Sequence, residues 1–299
     1  MPGQLLIFGL GYSGAAIARA AVAAGWACTA TSRDPARVEP PPGTRVIAFD
    51  AAEDALAAAT HLVATAAPDE AGDPVLARYG DAIRAAPARW AGYLSTTGVY
   101  GDRGGGWVDE ATPPAPGSAR SQRRLDAEDA WREACAGRRA LDLFRLAGIY
   151  GPGRSAFADL RAGAARRIAK PDHLFGRIHR DDIAAAVLAA MEQDQPPGVA
   201  RVLNLSDDLP AANADVVAEA ARLLGVPAPP LVPYDEAARG MSAMARSFWA
   251  ENRRVGSAET QRALGLRWRY PTYREGLAAT LAEEVEQGGA QEGEVGRAR

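Results

Sequence analysis

The sequence predicts an α/β protein with a doubly wound parallel sheet and a small C-terminal substrate lobe. Short apolar segments alternate with alanine-rich helical segments along the first half of the chain, and the connections between them are short. Such alternation places helices on both faces of a parallel sheet. The expected strands are Gln4–Phe8, Ala27–Ser32, Arg45–Phe49, His61–Ala64, Ala91–Ser95 and Leu141–Leu146, and the expected helices between them are 15–24, 52–59, 74–86 and 119–136.

The first strand runs directly into the turn Gly9-Leu10-Gly11-Tyr12-Ser13-Gly14, which the first helix follows. In a G-x-G-x-x-G turn the first glycine permits the tight turn, the second lets the backbone approach a pyrophosphate, and the third lets the helix pack on the strand. The helix N-terminus then presents free N–H groups to an anion. Because the second strand follows at βαβ spacing, these six residues predict a Rossmann-like dinucleotide site rather than a merely structural turn.

The end of the second strand indicates which dinucleotide is bound. An acidic side chain there holds the ribose 2′-hydroxyl of NAD, whereas arginine accommodates the 2′-phosphate of NADP. Ser32 and Arg33 supply a hydroxyl and a guanidinium suited to phosphate, while Asp34 would have to turn back from the loop to reach a ribose. We therefore expect NADP, with NAD as the alternative and a solvated loop charge as the other interpretation of Arg33.

The pattern loosens after Gly151 into stretches rich in proline, glycine and arginine, followed by a helix at 181–191, a strand at 202–205 and a helix at 214–224. We expect a dinucleotide-binding domain over 1–150 and a mostly substrate-side lobe over 151–285, with 178–205 returning to the first domain. The tail at 286–299 has no periodicity and is expected to be disordered. The irregular segment 102–118 is expected to act as a lid beside the site.

The composition disfavours several classes of protein. Lys and Arg total 34 against 37 Asp and Glu, a formal net charge of -3, which provides no footprint for nucleic acid or an anionic membrane. The apolar run Leu5–Phe8 is too short for a transmembrane or targeting segment. Cys28, Cys135 and the three histidines have no ligand spacing, so no metal site is expected. These observations predict a soluble cytoplasmic protein with a small-molecule substrate.

Several ordered segments carry a family resemblance. Together with the glycine turn they resemble the extended and atypical short-chain dehydrogenase/reductases of the NAD-dependent epimerase/dehydratase family, over about residues 3–280. These segments are Leu94–Gly101 (LSTTGVYG), Arg145–Gly153 (RLAGIYGPG), Ile178–Ala184 (IHRDDIA), Asn204–Asp208 (NLSDD) and Leu264–Leu266 with Tyr270–Leu277. The sugar dehydratases of the family are disfavoured, because Thr97-Gly98 stand where they carry Asp-Glu. Nucleotide-sugar enzymes are disfavoured because Phe175-Gly176 stand where they carry Arg-Asp.

The resemblance implies roles for single residues. The Thr three residues before Val-Tyr-Gly is Thr96, which would hydrogen-bond the reacting oxygen; the alternative is a hydroxyl that satisfies its own turn. Asp50 resembles the family's adenine-contacting carboxylate, with a helix N-cap as the alternative. Thr65 and Ala66, after the fourth strand, would let a nicotinamide ribose lie close to the backbone. Tyr100 is expected to be a packing ring rather than a proton donor.

The chain departs from the family at its catalytic pair, a Tyr and a Lys four residues apart on one helix face. Matching Leu125 and Glu128 to the family pattern puts Arg120 at the tyrosine and Arg124 at the lysine. Arg124 keeps a charge and a donor for the nicotinamide ribose, but Arg120 stays protonated and cannot act as acid and base in turn. Either the two arginines form a cationic face for an anionic substrate, or they are solvated surface. The only lysine, Lys170, lies elsewhere.

These observations predict an NADP-dependent oxidoreductase or epimerase-like enzyme for a small carbonyl or carbinol substrate, with Thr96 as the catalytic residue and the proton donor unassigned. The alternative is an NADP(H)-binding regulatory or sensor protein without turnover. Arg177 either contacts the substrate or is a surface charge.

Overall fold

The computed structural model describes residues 3–297, with side chains described to residue 287. Its strands are, in chain order, β1 (Gln4–Phe8), β2 (Ala27–Ser32), β3 (Thr44–Ala48), β4 (His61–Ala64), β5 (Trp90–Thr96), β6 (Trp107–Val108), β7 (Ala140–Leu146), β8 (Gly148–Tyr150), β9 (Arg167–Ala169), β10 (Arg177–His179), β11 (Ala200–Leu205), β12 (Leu231–Pro233) and β13 (Arg254–Val255). Its helices are α1 (Tyr12–Ala23), α2 (Glu53–Ala58), α3 (Pro74–Ala85), α4 (Ala119–Cys135), α5 (Ala156–Arg161), α6 (Arg180–Met191), α7 (Asn213–Leu224), α8 (Tyr234–Ala238), α9 (Ala243–Ala250), α10 (Ala258–Leu264) and α11 (Tyr273–Arg297).

A seven-stranded parallel sheet forms the centre of the fold, in the order β11-β7-β5-β4-β1-β2-β3. The chain builds outward from β1 through β2 and β3 and then returns to the other side of β1 with β4. The carboxyl ends of β1 and β4 therefore meet at a topological switch point, which is where an open α/β sheet has its ligand crevice. The predicted doubly wound fold is confirmed.

Two apolar cores cover the two faces of the sheet, because successive residues of a strand point to opposite sides. Leu5 and Ile7 of β1 face the core that α1 and α6 cover, whereas Leu6 and Phe8 face the core that α2, α3 and α4 cover. Cys28 and Cys135 are buried free thiols, one in each core. The glycine turn that follows Phe8 is thus attached to a strand that is fixed from both sides.

Most predicted elements lie within two residues of the observed ones, and β1, β2 and β4 have the predicted bounds. The first helix begins at Tyr12 instead of 15, because Gly11 in extended conformation is its N-cap. The sequence does not predict the strands of two or three residues, which are too short to show an alternating pattern. They pair as β8 with β10, β9 with β12, and β6 with β13.

The C-terminal part contributes β11 to the edge of the main sheet beside β7 and packs other elements around Tyr150, Phe157 and Tyr273. The division into domains at 150 and 285 stays a prediction. The disorder expected for 286–299 also stays a prediction. The structure describes α11 through Arg297, and the last two residues lie outside the described range. Within residues 3–297, no helix is both long enough and apolar enough to pass through a bilayer.

Candidate functional site

The three glycines of the turn have different surroundings. Gly9 has φ +107°, and a Cβ there would lie 2.6 Å from the Thr65 hydroxyl oxygen. A Cβ on Gly14 would lie 2.2 Å from the Gly9 carbonyl oxygen, so α1 packs directly on the turn. A Cβ on Gly11 would meet no protein atom within 4 Å. The first and third glycines therefore shape the turn, while the second leaves space for another molecule.

The neighbouring strands hold the turn in place. Thr31 of β2 accepts hydrogen bonds from the Gly9 N–H through its hydroxyl oxygen (3.1 Å) and from the Leu10 N–H through its carbonyl (2.9 Å). Thr65, after β4, donates its hydroxyl hydrogen to the Gly9 carbonyl (2.7 Å). Thr65 was expected to lie against the nicotinamide ribose; the structure shows its hydroxyl supporting the turn, with Ala66 partly buried beside it.

Among the described residues, no side chain caps the N–H donors at the N-terminus of α1. Gly11, the N-cap, has no side chain, and the first turn of the helix contains no acidic residue. Ser13 is nine-tenths buried, and Leu10 is partly buried against the core. The free N–H groups and the positive end of the helix dipole thus face the same space as the bare Cα of Gly11.

The three polar residues at the end of β2, Ser32, Arg33 and Asp34, differ in their partners. Arg33 is exposed and makes no ion pair among the described residues. Asp34 instead pairs with Arg37 at 3.2 Å, and its N–H donates to the Ser32 hydroxyl at 3.2 Å. The carboxylate that would hold a ribose hydroxyl is therefore engaged in the loop, and the guanidinium of Arg33 is available to an anion.

Asp50 is exposed and lies in a 3-10 turn formed by Phe49–Ala51. Neither this turn nor α2 has a side-chain hydrogen bond at its N-cap, so the N-cap interpretation of Asp50 is wrong. Contact between its carboxylate and an adenine stays a prediction.

Thr96 ends β5 at the same edge of the sheet and caps the 3-10 turn Thr97–Tyr100. Its hydroxyl oxygen accepts a hydrogen bond from the Gly98 N–H at 3.1 Å. The hydroxyl thus satisfies its own turn, and its hydrogen has no acceptor among the described residues. Ser121 of α4 lies beside it: a Cβ on Gly98 would be 3.1 Å from the Ser121 hydroxyl oxygen and 3.3 Å from that of Thr96.

The family's Tyr and Lys positions, 120 and 124, give no indication of Ser121, which lies between them on α4. Its side chain is buried and accepts a hydrogen bond from the Ser118 hydroxyl at 3.0 Å, while its N–H donates to the Ser118 oxygen. Its own hydroxyl hydrogen has no acceptor among residues 3–287. Two hydroxyl donors, Thr96 and Ser121, therefore flank Gly98 at the carboxyl end of β5.

The two arginines of α4 have different surroundings. Arg124 donates to the Leu94 carbonyl (2.6 Å) and lies 3.4 Å from the Tyr93 hydroxyl. Arg120 is exposed, with its guanidinium carbon 5.6 Å from the ring centre of Phe248 in α9. Arg124 is thus bonded to β5, and only Arg120 faces the C-terminal elements, so they do not form the single cationic face that was one interpretation.

A buried ion pair fixes α4 behind Thr96. Glu128 and Arg145 are 0% and 2% exposed and form two hydrogen bonds of 3.0 and 2.7 Å. The Ser95 hydroxyl donates to the same carboxylate at 2.6 Å. Tyr100 is fully buried under the Arg145 guanidinium and donates a hydrogen bond to Asn204 at 2.8 Å, which agrees with the packing role expected for its ring. The carboxylate of Glu128 therefore joins α4, β5 and β7 at one point.

The segment 102–118 is bonded to the C-terminal part of the chain. The Asn252 N–H donates to Asp102 at 2.8 Å, and its carbonyl accepts from Arg103 and Gly105. β6 pairs with β13, and Glu110 accepts from the Thr260 N–H at 3.1 Å, near the start of α10. Motion as a lid would require these bonds to break.

Two cations in the C-terminal part are engaged with backbone carbonyls. Arg177 donates to the Phe175 and Ala211 carbonyls at 2.9 and 3.0 Å, so it is not a free surface charge. Lys170 donates to the Trp249 carbonyl at the end of α9, and its ammonium lies 4.6 Å from the ring centre of Tyr234. Lys170 therefore stabilises the C-terminal elements, away from the glycine turn.

No model of a known protein family matches the chain. Protein YeeZ of Escherichia coli strain K12 is 31% identical over 137 residues, which are 46% of this chain and 47% of YeeZ. The chain thus spans about half the length of the curated relatives it matches.

Among solved structures, a functionally unknown conserved protein from Silicibacter pomeroyi is 46% identical, with a TM-score of 0.86 over 94% of this chain and 99% of that chain. Two structures of 20% identity share the fold. MoeE5 in complex with UDP-glucuronic acid and NAD has a TM-score of 0.77 over 96% of this chain and 100% of its own. A human epimerase family protein solved with NADPH has a TM-score of 0.71 over 93% and 98%.

Proposed function

The chain belongs to the same family as the conserved protein of Silicibacter pomeroyi and has the fold of epimerase family proteins, and from this we propose that it is an NADP-dependent oxidoreductase or epimerase-like enzyme. Its substrate would be a small carbonyl or carbinol compound. The proposal places it in the atypical branch of the short-chain dehydrogenase/reductases, because arginines stand at both positions of the family's Tyr and Lys.

The observation that carries the proposal is the empty space beside Gly11, at the uncapped N-terminus of α1. That space lies at the switch point of the sheet and is bounded by N–H donors that no described side chain caps. A dinucleotide diphosphate supplies the negative charge and the acceptor atoms that such a position lacks. The bound cofactors named for MoeE5 and for the human protein, NAD and NADPH, support the same class of ligand.

Different residues of the chain would bind the cofactor and the substrate. The N–H groups from Gly11 to Ser13 would hold the diphosphate, and Arg33 with Ser32 would hold the 2′-phosphate. When bound, the nicotinamide accepts or donates a hydride. Thr96 would hold the reacting oxygen of the substrate through its free hydroxyl hydrogen. The Ser121 hydroxyl also lies beside Gly98 and would donate a second hydrogen bond to the same oxygen. A hydrogen bond that strengthens as charge develops on that oxygen lowers the barrier.

Replacing Arg33 with alanine is expected to weaken NADPH binding while leaving NADH binding nearly unchanged, because only NADPH carries the 2′-phosphate. The loss of one charge-assisted contact should cost about 1.5–3 kcal/mol. Isothermal titration with both cofactors measures this. Arg37→Ala is the matched control, since Arg37 is paired with Asp34. Equal losses for both cofactors in Arg33→Ala would show that Arg33 does not read the 2′-phosphate.

Wild-type protein is expected to oxidise NADPH with at least one compound of a broad carbonyl panel, and Thr96→Ala to lower kcat by about 100-fold, since one donor to the reacting oxygen is lost. NADPH absorbance reports the rate, and titration of each variant should give the same NADPH affinity. Tight NADPH binding by the wild type without any turnover would favour the rival function, a regulatory sensor. Arg120, at the position of the family's tyrosine, is compatible with that rival.

A further inference from the structure

A loop from the second half of the chain lies against the first turn of α1. The Tyr12 hydroxyl donates to the Pro152 carbonyl at 3.0 Å. A Cβ on Gly151 would lie 2.7 Å from the Tyr12 hydroxyl oxygen, so the backbone of this loop approaches as closely as a glycine allows. The loop 151–154 therefore forms a wall next to the space beside Gly11, contributed by residues about 140 positions further along the chain.

Two guanidiniums lie over the ring of Tyr12, and only one of them is neutralised. The guanidinium carbons of Arg154 and Arg180 are each 5.6 Å from the ring centre. Arg180 pairs with Glu283 and, at 3.4 Å, with Asp181. Arg154 is exposed and has no ion pair among the described side chains. Glu284 of α11 accepts a hydrogen bond from the Gly153 N–H at 3.1 Å, but its carboxylate pairs with Arg161 and not with Arg154.

Among the described residues no carboxylate neutralises Arg154, and the first turn of α1 contains no acidic residue. The positive end of the helix dipole and the unpaired guanidinium would both attract a ligand with two negative charges. The arrangement is therefore suited to an anion.

We propose that Arg154 is a second ligand of the cofactor diphosphate, reaching it from the loop 151–154 while the glycine turn holds it from the other side. The inference rests on the proposed dinucleotide function and extends it. Tyr12 has two roles in this arrangement: its N–H belongs to the turn, and its side chain positions the arginine. The diphosphate is common to NADPH and NADH, so Arg154 contributes to both affinities equally.

The test is isothermal titration of Arg154→Gln with NADPH, NADH and ADP-ribose. All three affinities should fall by about 10-fold, because one charge-assisted contact to a phosphate is lost from each. The affinity ratio of NADPH to NADH should stay at its wild-type value. Arg19→Gln is the matched control: it removes the same charge from an exposed position of α1 that has no ion pair among the described residues, and all affinities should stay within about twofold.

Three results are decisive. Unchanged affinities in Arg154→Gln overturn the assignment. A loss confined to NADPH overturns it too, because it would show that Arg154 contacts the 2′-phosphate instead of the diphosphate. A wild type that binds none of the three probes overturns the dinucleotide function itself, and the role of Arg154 with it. Because Arg154 is exposed, the melting temperature of Arg154→Gln should match the wild type, which keeps a binding loss separate from unfolding.

Discussion

Gly11→Val is expected to abolish NADPH binding while the protein stays folded. The valine side chain would occupy the space where the backbone and a diphosphate meet, and no dinucleotide fits beside it. The fold should tolerate it, because a Cβ at this position meets no protein atom within 4 Å and the backbone φ of -85° is one that valine adopts. Titration with NADPH and a thermal melt of the same sample measure both effects.

Gly14→Ala is the contrasting control within the same turn. Its Cβ would lie 2.2 Å from the Gly9 carbonyl oxygen, so α1 must move away from β1, and the melting temperature should drop. The pair of variants separates a ligand effect from a packing effect. Binding of NADPH by a folded Gly11→Val protein would remove the dinucleotide assignment altogether.

Glu128→Ala is expected to lower the free energy of unfolding by about 3–5 kcal/mol, which is the cost of leaving one member of a buried ion pair without its partner. Arg145 is 2% exposed and would keep its charge with no carboxylate to accept its two hydrogen bonds. The Ser95 hydroxyl would also lose its acceptor. Urea denaturation followed by circular dichroism gives the change.

Two further variants test whether the loss of stability in Glu128→Ala comes from the buried ion pair. Asp129→Ala, one residue along α4, removes an exposed acid paired with Arg132 and should change stability by less than about 0.5 kcal/mol. The double variant Glu128→Leu with Arg145→Met should recover much of the loss, since an apolar pair needs no charge partner. If Glu128→Ala is as stable as Asp129→Ala, the pair does not fix α4 to β5 and β7.

The glycine turn and the strands around it were predictable because their signals are local. Gly9, Gly11 and Gly14 stand at fixed spacing between an apolar strand and a helix, and each has the environment that the spacing implies. The end of β2 was predictable for the same reason: the engagement of Asp34 follows from its place in the loop after the strand. Such features need only a few neighbouring residues to form.

The parts that the sequence could not predict join distant segments. In the sequence Glu128 looks like an ordinary acidic residue of a helix. Its ion pair forms only because β7 places Arg145 against α4. Ser121 joins the site only because α4 packs beside the 3-10 turn after β5. The divergence of Arg120 and Arg124 has the same origin, because positions four apart on a helix face alike only where the neighbouring elements are alike. Here one neighbour is β5 and the other is α9.

The bonds between segment 102–118 and residues 252–260 have a consequence for synthesis on the ribosome. Thr31 and Thr65, which hold the backbone of Gly9 and Leu10 by hydrogen bonds, are both synthesised within the first 65 residues. The segment that follows Thr96 gains its partners Asn252 and Thr260 about 150 residues later. Closing a loop of that length comes late in folding, because its entropy must be lost before any contact forms. During elongation the hydrogen-bond partners of the cofactor turn are therefore present well before those of the segment 102–118.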